Sequence, residues 1–282
     1  AKSSSTSKAD KKVAVIYAEG NIVDGNEKQH VAGDRFAGII EDVRKDSTVK
    51  AVVLRVNSPG GSVLASEKIK NEIDLLRKRG IPVIASYGDY AASGGYWISA
   101  GCDKIYSNAT TLTGSIGVFS MIPDISNVIE DKLHVNITPV NSNKHSDMMS
   151  MMRPLDKAEI DYMQASVERI YEKFTTLVAE GRDMTVEGVD AIAQGRVWTG
   201  ADALKIGLVD EIGTIEDAIR YAALSIEGVE SLNDVQVAEY PKPQTALEAI
   251  MESLMGGENI FAELPFERGK VYARIPYDIT IE

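Results

Sequence analysis

The sequence predicts an α/β fold of strand–helix crossovers followed by a helical C-terminal part. Three observations point there. Apolar runs of strand length at residues 13–17, 51–56 and 81–86 alternate with longer stretches whose apolar residues recur every three or four positions, the pattern of parallel strands joined by helices. Two of these runs end in glycine-rich turns, Asn57-Ser58-Pro59-Gly60-Gly61-Ser62 and Gly88-Asp89-Tyr90-Ala91-Ala92-Ser93-Gly94-Gly95-Tyr96. From residue 155 to 181 a helical period then runs without a break through Ile160, Met163, Val167, Ile170, Phe174 and Leu177.

Taken in order, residues 13–17 form the first strand, followed by a Gly/Asn/Asp-rich loop to about Lys28. Phe36, Ile39, Ile40 and Val43 mark an amphipathic helix, 51–56 a second strand, and 63–78 a helix with Ile69, Ile73 and Leu76 on one face. The third strand is 82–85, and 91–100 is predicted as a helix behind Ser93, with Asp89 as its cap. A short strand follows at 104–107, then Thr113-Gly114-Ser115-Ile116-Gly117-Val118-Phe119. Residues 123–132 are expected to be helical with Pro123 in the first turn, and 135–140 alternate as a strand. After the long helix come shorter ones at 185–193, 200–205 and 214–226, a strand at 235–240, a helix at 245–254, a loop around Gly256-Gly257 and Pro265, and a last strand at 270–274. The expected division is a linker or remnant at 1–12, one α/β domain at 13–226, and an extension at 227–282 that could serve as an oligomer contact.

A chain of 282 residues with 44% hydrophobic content is long enough for a full core. The net charge is −12; the first twelve residues, with four lysines and one aspartate, contribute +3, leaving −15 on the rest. That balance argues against a nucleic-acid partner, which is held by Lys and Arg on phosphates. The single Cys102, between Gly101 and Asp103, excludes an internal disulfide and reads as a small buried residue. No apolar run approaches the ~18–20 residues of a membrane span, so the chain as given is expected to be soluble. Its polar opening, Ala1-Lys2-Ser3-Ser4-Ser5-Thr6-Ser7-Lys8, is not a signal sequence. His30 and His134 have no acid or cysteine at ligand spacing, and no metal or cofactor is expected.

The chemistry centres on Ser93. A serine at a strand-to-helix turn has its hydroxyl exposed to a substrate and the first amides of the helix unpaired beside it. In a sheet with right-handed crossovers both glycine turns emerge at the carboxyl ends of the strands. The amide of Gly61, or of Gly60, and that of Gly94 would then form an oxyanion hole around the carbonyl that Ser93 attacks. An ordinary turn is the plainer reading of Ser93-Gly94-Gly95, and a phosphate cradle is disfavoured because neither loop has the spacing that phosphate sites need.

Four motifs together, Asn57-Ser58-Pro59-Gly60-Gly61, the segment Gly88 to Tyr96, Thr113-Gly114-Ser115-Ile116-Gly117 and Gly195-Arg196-Val197-Trp198-Thr199-Gly200, resemble the signal peptide peptidase A family, also called protease IV, over residues 13–226. The resemblance implies the Clp protease/crotonase-like fold of repeated ββα units. It also implies a serine endopeptidase acting on cleaved signal peptides and other apolar peptides, a membrane-associated enzyme facing the periplasm or cell exterior, and a ring-like homo-oligomer. In that family the nucleophile is the serine of the Ala-Ser-Gly-Gly motif, which falls on Ser93, and the general base is a lysine on a later segment. Aligning the family's His-Lys-Asp pattern with His145-Ser146-Asp147 puts Ser146 where the lysine belongs. Long members of the family have two related halves, the amino-terminal one supplying the lysine. This chain looks like the carboxyl-terminal half, with its base expected from the N-terminal half of the same protein.

Within the chain, Lys144 is a rival base, though two residues along an extended segment displace it by roughly 6–7 Å. His145 with Asp147 as its orienting carboxylate is another. Met148, Met149, Met151 and Met152 crowd the same stretch; they read either as core packing or as a cleft for apolar peptides. Ser115 is a candidate for positioning substrate or the missing lysine, and Trp198 for anchoring helices. Two functions of different class remain: the nucleophile-bearing half of a peptidase, and a non-catalytic scaffolding half of a ring-shaped one. A crotonase-like acyl-CoA enzyme is a distant third.

Overall fold

The computed structural model describes residues 10–241 and, as backbone, 271–274. The helix expected at 245–254 and the loop at 256–265 lie outside the described residues. In chain order the strands are β1 (Lys12–Glu19), β2 (Ile22–Val23), β3 (Val31–Ala32), β4 (Val49–Ser58), β5 (Gly60–Ser62), β6 (Val83–Ala92), β7 (Lys104–Ser107), β8 (Leu112–Gly114), β9 (Phe119–Ser120), β10 (Val197–Thr199), β11 (Glu211–Ile212), β12 (Gln236–Tyr240) and β13 (Val271–Arg274). The helices are α1 (Gly33–Lys45), α2 (Val63–Lys78), α3 (Gly94–Trp97), α4 (Lys157–Arg182), α5 (Val186–Ile192), α6 (Gly200–Lys205) and α7 (Ile215–Leu224). The fold is mixed α/β, as the crossover pattern predicts, and is consistent with the Clp protease/crotonase-like architecture.

The main sheet runs β10-β8-β6-β4-β1-β12, with β7 and β11 on a branch from β6; all its pairings are parallel except β10 with β8. Helices cover both faces, which explains the near-continuous apolar composition of β1 and β4. Successive side chains of a strand point to opposite faces. Ala14, Ile16, Val52 and Leu54 accordingly join Ile40, Ile69 and Leu76 of α1 and α2, while Val13, Val15, Ala51, Val53 and Ile84 pack on Ala218, Ala222 and Ala223 of α7. A second, smaller sheet, β3-β2-β5-β13-β9, stands against the carboxyl ends of the central strands. Cys102 is buried, as expected, and burial pushes its thiol up to about 12.

Four expectations are corrected. Residues 91–100 are not a helix from their start: β6 runs on through Ala92, α3 is one turn, and irregular turns follow. The reason is tertiary. Two extra residues in β6, set by the shift from Val56↔Tyr87 to Ser58↔Ala91, let its end leave β7 and pair with β8 instead. Asp89 therefore caps no helix; it sits in this bulge, where the amides of Asp89 and Tyr90 donate to Asn57 Oδ1 at 3.0 and 3.1 Å. Residues 135–140 form no strand; Val135, Ile137 and Val140 are exposed and the alternation finds no partner among the described residues. Of the helix expected at 123–132, a π-helical turn at Val128–Lys132 is the principal regular part.

Candidate functional site

Ser93 stands between the end of β6 and α3 with φ 55° and ψ −115°. This backbone geometry, costly for a residue with a Cβ, is characteristic of a sharp strand-to-helix elbow. Local bonds hold it there. The Ser93 amide donates to Gly114 O at 2.8 Å, and the Trp97 amide donates to Ser93 O at 2.8 Å. Thr111 and Thr113 hydroxyls donate to Gly88 O and Ala91 O, each at 2.6 Å, tying β8 to the bulged strand. The Ser93 hydroxyl is buried, and its hydrogen bond to Gly117 O is long, 3.5 Å.

The two glycine turns do meet. A Cβ on Gly95 would lie 2.7 Å from Ser58 O, so the start of α3 closes on the turn after β4 only because residue 95 has no side chain. α3 also packs against β5. Gly61 lies as close to the neighbouring strand: a Cβ there would fall 1.9 Å from Ile22 O, at φ +155°. Ser58 Oγ accepts from the Gly60 amide at 3.2 Å, and Ser62 caps α2 by accepting from the Ala65 amide. Gly94 is the first residue of α3, where helix geometry supplies its amide with no internal acceptor.

A cavity of about 790 Å³ is lined by Gly117, the residue whose carbonyl Ser93 reaches, with Ser115, Val118 and Phe119 on one side and Val167, Tyr171 and the acidic Glu168 and Glu172 of α4 on the other. Ser115 also has positive φ, 47°, with its amide donating to Arg196 O at 2.8 Å. Trp198 donates from its indole to Ile192 O at 3.0 Å.

The rival bases are engaged elsewhere. Lys144 is exposed and pairs with Asp156 at 3.8 Å; His145 Nδ1 lies 2.9 Å from Glu159 Oε1. Ser146 is exposed and donates to Asn143 O at 3.2 Å. Met149 and Met152 are exposed and Met148 and Met151 half-buried, outside the two core clusters. Asp147 orients no histidine: both its oxygens accept from Arg153, at 2.6 and 2.9 Å.

His145, Asp156 and Glu159 are close enough to hold a cation, but Arg153 already donates to both oxygens of the buried Glu159 at 2.7 Å, so an incoming ion would meet a positive charge. Arg153, with help from Asn141, holds Asp147 down to about 2; Arg153 and then His145 hold Glu159 well below the usual carboxylate range. A carboxylate depressed on folding contributes stability that is complete above its unfolded value and lost as pH falls through its folded one. Amide exchange across residues 141–159 should therefore stay slow down to about pH 4 and accelerate between about pH 4 and 2. Equal protection at both ends of that interval would refute the network's role.

Sequence reasoning passed over Asn57, which organises the bulge, and Gly117, whose carbonyl the Ser93 hydroxyl reaches. Tyr96 was also missed; its hydroxyl donates to Leu208 O at 2.8 Å and ties α3 to the loop after α6. Asn57 and Gly117 stand in the quoted motifs, but only the pairing of distant strands shows what they touch.

An α/β sheet carrying a buried serine on a strained elbow beside paired glycine turns is the frame of a serine hydrolase. The profile described as "Peptidase family S49" matches residues 75–227. The chain is 44% identical to "Protease 4" of Salmonella typhi over 254 residues, covering 90% of this chain and 40% of that protein. It is 45% identical to "Protease 4" of Haemophilus influenzae over 212 residues, 75% of this chain and 34% of that one. With the "Putative signal peptide peptidase SppA" of Enterococcus faecium it shares 36% identity over 242 residues, 84% of this chain and 69% of the relative. The chain belongs to peptidase family S49, the signal peptide peptidase A or protease IV family of serine hydrolases. It spans less than half the length of the two Protease 4 relatives. Among the described residues no helix is long and apolar enough to cross a membrane.

Proposed function

We propose that this chain is the nucleophile-bearing half of a Ser/Lys peptidase that degrades apolar peptides, cleaved signal peptides among them, and that its lysine comes from an amino-terminal half. The observation that carries the reading is the conformation of Ser93, buried on a strained elbow, while Lys144 and His145 are committed to Asp156 and Glu159. A lysine acts as base only when burial keeps it neutral, and exposed Lys144 lacks that setting.

In the complete site Ser93 Oγ attacks the scissile carbonyl and its proton passes to the neutral lysine. The resulting oxyanion is held by the amides of Gly61 and Gly94; Gly60, the alternative donor on the first turn, would first have to release Ser58 Oγ. The ammonium then protonates the leaving amine, and water, deprotonated by the same lysine, releases the acyl group from Ser93. The cavity between Phe119 and Tyr171 receives a side chain of the substrate, with Ser115 in its lining and Met148 and Met149 offered as further apolar contacts. In this reading the whole protein is a membrane-associated ring of subunits facing away from the cytoplasm.

The test is hydrolysis of an apolar fluorogenic peptide by this chain alone, by an amino-terminal half alone, and by the two mixed. Cleavage in the mixture only, abolished by Ser93→Ala, is the expected result. Cleavage by this chain alone would return the base to Lys144 or His145. An assembled but inert mixture would favour the scaffolding reading.

A further inference from the structure

The cavity that borders Gly117 is not uniformly apolar. Val118 and Phe119 form one wall and Val167 and Tyr171 the other, but Glu168 and Glu172 of α4 belong to that second wall as well. Residues 167, 168, 171 and 172 are three or four apart and share one face of the helix. Two exposed carboxylates therefore stand one turn apart along the lining. Neither is neutralised there. Glu168 accepts from the uncharged Gln164 amide at 2.9 Å, and among the described residues no cation lines the cavity. Arg169 and Lys173 lie round the helix beside a second cavity, which Glu172 also borders, and Lys173 pairs there with Glu67 at 2.7 Å. Arg196, on the loop that closes the first cavity, is held by Ala191 O and Ala193 O, each at 3.1 Å. A further polar group waits in the lining: Ser115 is 3% exposed, and its hydroxyl makes no hydrogen bond among the described residues.

We infer that this cavity selects a basic side chain of the substrate, lysine or arginine, and that Glu168 and Glu172 set the preference; the inference deepens the peptidase reading given above and rests on it. The methylenes of such a side chain lie against Val118, Phe119, Val167 and Tyr171, while its charge stays with the exposed carboxylates. The rings of Phe119 and Tyr171 attract the same cation. Tyr171 is fixed for this, its hydroxyl donating to Asp190 Oδ1 at 2.5 Å. An uncharged side chain with the same stem buries as much apolar surface, but it takes water from two carboxylates and gives them no partner. The Gly117 carbonyl, 3.5 Å from the Ser93 hydroxyl, joins the cavity to the nucleophile, so the occupant belongs to a residue close to the scissile bond.

The experiment measures anisotropy of fluorescein-labelled decapeptides of alternating alanine and leucine, in which one position at a time carries lysine or norleucine, the same carbon stem without the charge. It compares the full chain with the Glu168→Gln/Glu172→Gln and Glu168→Lys/Glu172→Lys chains, each checked for thermal unfolding. The expected result, at one position of the peptide, is lysine bound about five- to tenfold tighter than norleucine by the parent at low salt. The ratio should shrink at about 0.5 M salt and fall to within about twofold of unity in the glutamine chain. The lysine chain should favour glutamate over norleucine at that position. No preference in the parent overturns the inference. So does a preference equal at every position, or one that survives the glutamine substitutions, since the net charge of −12 alone would then account for it. In the mixture of halves the same peptide pairs are compared by kcat/KM. A lysine preference in binding without Ser93-dependent cleavage would sink the peptidase reading and leave the selectivity of the cavity standing; Ser93-dependent cleavage without the preference would do the reverse.

Discussion

Ser93→Ala is expected to lower kcat/KM of the complete enzyme by at least about 10³-fold, because loss of a nucleophile leaves only binding and the oxyanion donors to act on the substrate. The same substitution should leave the stability of this chain unchanged or slightly higher. The hydroxyl it removes is buried and, among the described residues, makes one long hydrogen bond, 3.5 Å to Gly117 O. Ser93→Gly goes further, since a glycine accepts φ 55° and ψ −115° without the penalty of a Cβ. Relief of backbone strain is worth roughly 1–3 kcal/mol, less about 0.5–1 kcal/mol for the freedom glycine has when unfolded, so a net gain near 1 kcal/mol is the expected result. Calorimetry on the three chains checks this alongside the assay. Inactive variants that are clearly less stable than the parent would mean that Ser93 is a packing residue and not a strained nucleophile; activity within threefold of the parent would remove it from catalysis altogether.

Trp97→Ala should be the most destabilising single substitution near the site, at about 3–5 kcal/mol, which for a domain of this size lowers Tm on the order of 10 °C. The indole is fully buried on α3, its ring centroid 4.6 Å from that of Phe174, and its N–H donates to Glu67 Oε2 at 3.0 Å. Glu67 pairs in turn with Lys173 at 2.7 Å. One side chain thus fastens the turn behind Ser93 to both α2 and α4. Trp97→Phe, which keeps the ring and gives up the hydrogen bond, should recover most of the loss. If the alanine and phenylalanine variants unfold at the same temperature, the Glu67 bond and not ring packing carries the effect.

Much of this architecture was legible in the residues because local rules and tertiary packing agree there. α2 and α6 begin and end where the sequence reading puts them, at 63–78 and 200–205, and the structure adds the reason for their starts: Ser62 and Thr199 accept from amides in the first turn, as N-cap residues do. β7 lies where a short β-branched and aromatic run marks it. Ser93 and the glycine turns were visible as motifs, since closeness of approach at Gly61 and Gly95 demands glycine whatever else varies.

The remainder was not local. Residues 91–100 have helix-compatible composition, yet the first two extend β6, because pairing with β8 and, at Ala91 O, the Thr113 hydroxyl offer their backbone groups partners that a helix would not. The alternation at 135–140 has the period of a strand, but a strand needs a neighbouring edge, and none lies beside it among the described residues. By itself the sequence determined the crossover fold, the place of Ser93 after an apolar strand, and the two glycine turns, because period-two and period-3.6 patterns and obligatory glycines are written residue by residue. Only the tertiary structure decided where the elbow bends, which groups engage Lys144 and His145, and that β13 pairs alongside Gly61, because each depends on backbone edges and charges brought together from distant parts of the chain.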